Sequence, residues 1–282
     1  MTNLRADIVR SIFRVAPVPG RYLSTALSAA RVDLQSINGP LLCDDRWHEF
    51  EIGIDDLSDV IQRHIFFQGY FEFWETRLLR RELKPGDVFL DVGANIGWHS
   101  LVAANRVGQC GRVIALEPVP STYSALVRNS ELNGYGSLEP HNLGLSNKNG
   151  VLSIFAPEEA NCGANSLYPG AGAPAPVCDI TVEVGDQFLQ RIGCTYVHLC
   201  KIDVEGAEID VLEGLVNSLH SGMIGKIMIE VNPTSLERAG RSPAELLSKL
   251  DACGYKMRDI RTGRPFSAEA GVHHMVNLIC SR

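Results

Sequence analysis

Gly86-Asp-Val-Phe-Leu-Asp91-Val-Gly93-Ala-Asn95-Ile-Gly97-Trp98 decides how the rest of this 282-residue chain is read. Val88, Phe89, Leu90 and Val92 make a short apolar run of buried-strand type, with Asp91 near its end. Gly93 and Gly97 frame a tight turn, and Trp98 to Val107 has the pattern of the helix that follows. Such a unit presents backbone N–H groups and a positive helix end to a bound ligand. Glycine in the turn lets the backbone approach what a β-carbon would push away.

The dinucleotide fingerprint G-x-G-x-x-G demands a glycine where Asn95 stands and a third that is absent here. Asn tolerates left-handed backbone geometry, so the turn remains feasible. Asp91, two residues ahead of Gly93, offers a carboxylate to the ammonium of an amino-acid-like ligand. S-adenosylmethionine (SAM) carries such an ammonium and a nicotinamide dinucleotide does not. The plain alternative is a turn that serves strand–helix packing alone.

The composition sets the frame for that motif. A hydrophobic content of 45% supplies a large core and excludes a mainly disordered chain. A net charge of −7 argues against a broad nucleic-acid surface. The eight cysteines contain no C-x-x-C pair, which is neither a zinc nor a redox pattern. No apolar run reaches membrane-span length and no signal-peptide core is present, so the expected setting is a reducing cytoplasm.

Along the chain, residues 1–31 hold five arginines against Asp7 alone, with Ile8, Ile12, Phe13 and Val15 as an apolar face. A loosely docked N-terminus is the plain reading and membrane-surface binding the sharper one. Strands are expected at 32–37 and 47–54 about an Asn38-Gly39-Pro40 turn, then a helical stretch over 58–83 broken near Gly69. Residues 1–83 thus form an α+β lead-in and 84–282 the main domain.

From Gly86 onward strand and helix alternate. Strands are expected at 88–92, 112–117, 138–143, 151–155, 178–184, 196–203, 224–231, 255–260 and 275–280. Ser242-Pro243-Ala244-Glu245 is a capping box, and Asn133-Gly134 and Gly254 end helices. Residues 156–177, with three glycines and four prolines, read as a long loop that contacts substrate. Alternation of this kind means a mostly parallel sheet with helices on both faces, whose ligands sit beyond the strand carboxyl ends. Asp91, Glu117 and Asp203 all fall at such ends.

Taken together, Asp91-Val-Gly-Ala-Asn-Ile-Gly97, Gly111-Arg-Val-Ile-Ala-Leu-Glu117-Pro118, Asn129 to Gly134 and Lys201-Ile-Asp-Val-Glu-Gly-Ala-Glu208 resemble the FkbM family of SAM-dependent methyltransferases. The resemblance runs roughly from Phe66 to Cys280. It implies the class I methyltransferase fold, a Rossmann-like, seven-stranded, mostly parallel sheet whose last strand is antiparallel to its neighbours. It also implies that Asp91, Gly93 and Gly97 hold the methionyl part of SAM, that Glu117 takes the ribose hydroxyls, and that Asn142 lies near the adenine. Asn95 and Trp98 complete the cofactor set. The family more often shows an aromatic pair after the last glycine, whereas His99 follows Trp98 here.

An O-methyltransferase acting on a small metabolite, sugar or glycan is the leading expectation, with SAM as cofactor and no metal required. Asp203 is the first candidate to orient or deprotonate the acceptor, with Glu205 and His99 beside it. An amide or peptide nitrogen is the alternative acceptor. A nicotinamide oxidoreductase and a non-catalytic binding module are the remaining readings.

Overall fold

The computed structural model describes residues 4–16, 22–34, 37, 41–155, 166–168, 175–267 and 271–282. The lead-in consists of α1 (Leu4–Val15), α2 (Leu23–Ala29), the antiparallel pair β1 (Leu41–Asp44) and β2 (Glu51–Ile54), α3 (Val60–Gln68) and α4 (Phe73–Glu82). The break between the last two helices falls at Gly69, whose φ of +71° ends α3 in a left-handed cap. The strand expected at 32–37 is absent from the described residues there, and Asn38-Gly39-Pro40 lies outside them. The hairpin instead pairs 41–44 with 51–54, because Asp45 closes its turn by accepting the N–H groups of Trp47, Glu49 and Phe50.

The main unit follows as β3 (Val88–Val92), α5 (Trp98–Val107), β4 (Arg112–Leu116), α6 (Pro120–Asn133), β5 (Leu138–His141), β6 (Gly144–Ser146), β7 (Gly150–Ile154), β8 (Cys178–Val184) and α7 (Gly185–Arg191). It continues with β9 (Val197–Ile202), α8 (Glu208–Gly214), α9 (Val216–Ser221), β10 (Ile224–Val231), α10 (Pro233–Arg238), α11 (Pro243–Ala252), β11 (Lys256–Asp259), β12 (Pro265–Phe266) and β13 (Val276–Ser281). The principal sheet has the order β12-β11-β13-β10-β9-β3-β4-β5. Pairing is parallel from β10 through β9, β3 and β4 to β5, and β13 is antiparallel to both β10 and β11. This is the class I methyltransferase arrangement, with the two-residue β12 as an eighth strand at the edge.

Successive residues of the central strands serve opposite cores. Phe89, Val113 and Ala115 belong to the core shared with the lead-in, α5 and α6. Leu90, Ile114 and Leu116 belong to the core under α7, α8, α9 and α11. That two-sided burial is why these strands read as unbroken apolar runs. A separate sheet, β6-β8-β7, stands over the carboxyl ends, and Ile154, Ile180 and Val182 pack there with Val119. No described helix is long and apolar enough to cross a membrane.

Candidate active site

A cavity of about 310 Å³ opens at the carboxyl ends of β3, β4, β9 and β10. Its floor is the turn after β3, where Gly93, Asn95 and Gly97 have φ values of +87°, +52° and +96°. The Asn95 side chain steadies this shape by accepting the Ile96 N–H at 2.6 Å. Both glycines have packing reasons. A Cβ on Gly93 would lie 1.9 Å from the Asp203 carbonyl oxygen, and one on Gly97 would lie 2.7 Å from Leu126.

Glu117 follows β4 directly and lines the cavity. One carboxylate oxygen accepts the N–H of Asn95 and the other that of Val119, each at 2.9 Å. Burial raises its pKa to about 7 despite those two hydrogen bonds. Each oxygen keeps a second lone pair.

Asp91 is placed otherwise than the sequence suggests. It does not line the cavity. Its side chain is fully buried and accepts the Ser100 hydroxyl at 2.6 Å, while its other oxygen has no hydrogen-bond partner. In register with it on β9 stands Lys201. Asn142 is likewise a brace, donating to the carbonyls of Glu117 and Pro118 at 2.9 Å and fixing the turn after β4. Trp98 touches the cavity, but its indole N–H is committed to Thr76 Oγ1 at 2.9 Å and its ring meets Phe50 edge-on.

On the opposite wall Lys201 and Asp203 leave the end of β9 as an ion pair, Nζ to Oδ2 at 2.8 Å. Burial works against the lysine's charge, yet Asp203, Asp91 and Glu72 around it raise its pKa. Asp203, Glu205 and Glu230 bring carboxylate oxygens within 4.8 Å of one another, an arrangement with the chemistry to hold a cation. Glu205, at φ +52°, accepts from the Ser235 hydroxyl at 3.2 Å. Burial and the neighbouring Asp203 raise its pKa to about 7. Glu208 accepts the Gly206 N–H at 3.0 Å and so serves the start of α8.

Glu72 and His99 close the ring. Glu72 lies between α3 and α4 at φ +43°, a strained geometry for a residue with a side chain. Its carboxylate stands 3.5 Å from His99 Nε2. Burial, and after it Lys201, lowers the His99 pKa well below its ordinary value, so the imidazole is neutral. Sequence reading missed Glu72, Glu230 and the role of Lys201. Only the KIDVEG stretch gave any signal for one of them.

The FkbM methyltransferase domain pattern matches residues 91–257. The chain belongs to the FkbM methyltransferase family. SAM is the methyl donor typical of that family. The chain is 31% identical over 156 residues to the hexuronic acid methyltransferase AglP of Haloferax volcanii, a match covering 55% of this chain and 60% of that protein. It is also 31% identical over 167 residues to methyltransferase 1 of Beauveria bassiana, covering 52% of this chain and 66% of the other. The matches thus span about three fifths to two thirds of these curated relatives. A SAM-dependent O-methyltransferase structure from Thermotoga maritima overlays with a TM-score of 0.42 at 12% identity, covering 75% of this chain and 68% of its own.

The residues at hand fit SAM. Glu117 offers oxygen acceptors to a ribose diol, and Ile96 and Val119 give apolar walls to a flat base. Of the long loop, residues 166–168 and 175–177 are described, and the rest of 156–177 lies outside the described residues. Leu167 reaches the cavity wall and Ser166 donates to the Glu205 carbonyl at 2.7 Å.

Proposed function

We propose that this FkbM-family chain methylates a hydroxyl oxygen of a sugar, glycan or other polyhydroxylated small molecule. The observation that carries the reading is the Asp203 carboxylate, standing on the cavity wall and held by Lys201 at 2.8 Å. SAM, when bound, supplies a methyl group already activated on a sulfonium. Asp203 accepts the hydrogen of the acceptor hydroxyl and takes its proton, while Lys201 fixes the carboxylate's direction. Glu205 and His99 stand in the same wall as further polar contacts, His99 being the second candidate base. Glu117 receives the ribose diol, the turn from Gly93 to Gly97 lies along the methionyl part, and the β6-β8-β7 sheet covers the reacting atoms from water.

Glu72, Asp203, Glu205 and Glu230 face the acceptor space with Lys201 as the cavity's one described ammonium. Burial, and after it the neighbouring Asp203, raises the pKa of Glu72, Glu205 and Glu230, so this wall meets a polyol with carboxyl groups that both donate and accept hydrogen bonds. The hexuronic acid named for the Haloferax relative supports a sugar-type acceptor. Residues 1–83 act as a cover on the 84–282 catalytic domain, since Phe71 and Glu72 reach the cavity from the lead-in. The seven described cysteines are free thiols, which supports a reducing, cytoplasmic setting.

The test has two stages. Calorimetric titration with SAM, its demethylated product and NAD comes first, and binding of NAD without SAM would sink the reading. Release of demethylated product is then followed with matched neutral and uronic glycosides. Release with either glycoside supports the hydroxyl reading, and methylation confined to a primary amide would replace it.

A further inference from the structure

Glu72 occupies a backbone position that suits glycine. Its φ of +43° lies in the left-handed region, where a β-carbon is disfavoured. Thr76 holds that shape from below. Its N–H donates to the Glu72 carbonyl at 2.8 Å and its hydroxyl to the Phe71 carbonyl at 2.7 Å, while the hydroxyl oxygen accepts the Trp98 indole N–H at 2.9 Å. Thr76 is fully buried, so these bonds are shielded from water. Strain of this kind persists where the surroundings fix it, and it points from geometry to a function. Glu72 also precedes residues 91–257, which carry the family pattern.

The strained residue puts its carboxyl on the cavity wall, 3.5 Å from Nε2 of His99, which lines the same cavity. That separation is longer than the roughly 2.7–3.2 Å of an N–H···O hydrogen bond. His99 is 5% exposed, yet its Nε2 has no hydrogen-bond partner among the described residues. A buried polar atom left so is uncommon and calls for an explanation. Burial, and after it Asp203, raises the Glu72 pKa well above its ordinary value, so the carboxyl keeps a proton to donate. The neutral imidazole offers a lone pair. Phe71 packs beside His99 with ring centroids 6.4 Å apart and adds an apolar face to the same wall.

A hydroxyl both donates and accepts, and so meets this pair at once, which an ammonium or a carboxylate cannot do. We propose that Glu72 and His99 grip a second hydroxyl of the acceptor, next to the one that Asp203 receives, so that the acceptor is a vicinal diol. Given that reading of Asp203, the second hydroxyl donates to His99 Nε2 and accepts from the Glu72 carboxyl, while the Phe71 ring lies against the carbons that carry the pair. Glu72 is then an acceptor-binding residue supplied by the lead-in.

The probes are cis-cyclohexane-1,2-diol and cyclohexanol, added to the full chain with demethylated SAM product bound. The diol should shift the ring-nitrogen resonances of His99 and cyclohexanol should not. Glu72→Gly should weaken the diol about tenfold, and Glu72→Gln, which keeps a donor, by less. SAM affinity should be unchanged in both. The urea midpoint of Glu72→Gly should equal or exceed the parent's, because glycine relieves the left-handed strain. Equal shifts from the two probes, no shift from either, or a Glu72→Gly variant that binds the diol like the parent would each overturn the inference. A lowered Glu72→Gly midpoint would overturn it too, by giving Glu72 to Lys201 as a counterion. Methyl transfer separates this from the hydroxyl reading. A diol that shifts His99 but receives no methyl supports the grip and counts against hydroxyl transfer. Cyclohexanol methylated as readily as the diol keeps hydroxyl transfer and overturns the grip.

Discussion

The space a side chain would need at Gly93 is held by the carbonyl oxygen of Asp203, 1.9 Å from where a Cβ would stand. The turns after β3 and β9 cross at that point, and the Asp203 N–H donates to the Val92 carbonyl at 3.0 Å. Gly93 therefore fixes the position of the candidate base as well as the floor of the cavity.

Gly93→Ala is expected to lower stability by about 2–5 kcal/mol, combining overpacking with left-handed strain. SAM affinity and transfer should fall together, because Asp203 has to move. Urea denaturation checks this, and an unchanged midpoint would mean that the two turns separate freely.

Glu117, Glu205 and Glu208 share a pH signature, since burial raises the pKa of each to about 7. An unfolded chain ionises these groups near 4.5, so between about 4.5 and 7 the folded state holds more protons. Stability of the unliganded protein should therefore fall as pH rises through that window and level off above it. Urea midpoints across the range measure the slope, and a midpoint rising with pH there contradicts the assignment.

SAM affinity should follow the opposite course, tightening as pH rises through about 7 and Glu117 becomes a full acceptor for the ribose diol. Glu117→Gln should remove that pH dependence and weaken SAM by about 1.5–3 kcal/mol at the alkaline end. Calorimetry at two pH values decides it. A variant that loses thermal stability with unchanged affinity would return Glu117 to a purely structural role as acceptor for Asn95 and Val119.

Lys201→Met leaves Asp91 and Asp203 without their shared cation. It is expected to cost about 3–5 kcal/mol, the scale for stranding a buried charge. Lys201→Arg should recover part of the loss. Denaturation of the two variants side by side provides the measurement, and equal, parent-like midpoints would show that the ion pair contributes nothing.

Asp203→Asn should keep SAM binding near normal and slow transfer by roughly 10²–10⁴, the range for loss of a general base. Single-turnover rates at saturating SAM separate the two effects. If transfer survives in Asp203→Asn and is lost in His99→Gln, the base is His99.

Most of the strand order from residue 86 onward was legible because its signals are local, whereas the short β6, β12 and α10 carry too few residues to show a period. The apolar run at 88–92, the left-handed stop at Gly134 and the Ser242 cap, which accepts the Glu245 N–H, each act within a few residues. Glu117 was legible for the same reason, as an acid directly behind a buried strand. The hairpin at 41–54 was misplaced because its register is set by the Asp45 turn and by Asn129, which takes the Gly53 N–H from 76 positions away. Period-two patterning alone cannot fix such a register.

The sequence by itself determined the alternating architecture, the family and the strand-end acids, since each rests on periodicity or on a contiguous motif. Only the tertiary structure decided which acids meet. Glu72, Lys201 and Glu230 come from three distant segments and converge because β9 lies between β3 and β10 while α3 and α4 fold over the strand ends. Asp91 and Lys201 sit opposite each other in the sheet, yet the lysine lines the cavity and the aspartate is held behind it by Ser100. Side-chain direction depends on pleat and register, and those are fixed by long-range pairing that no local pattern encodes.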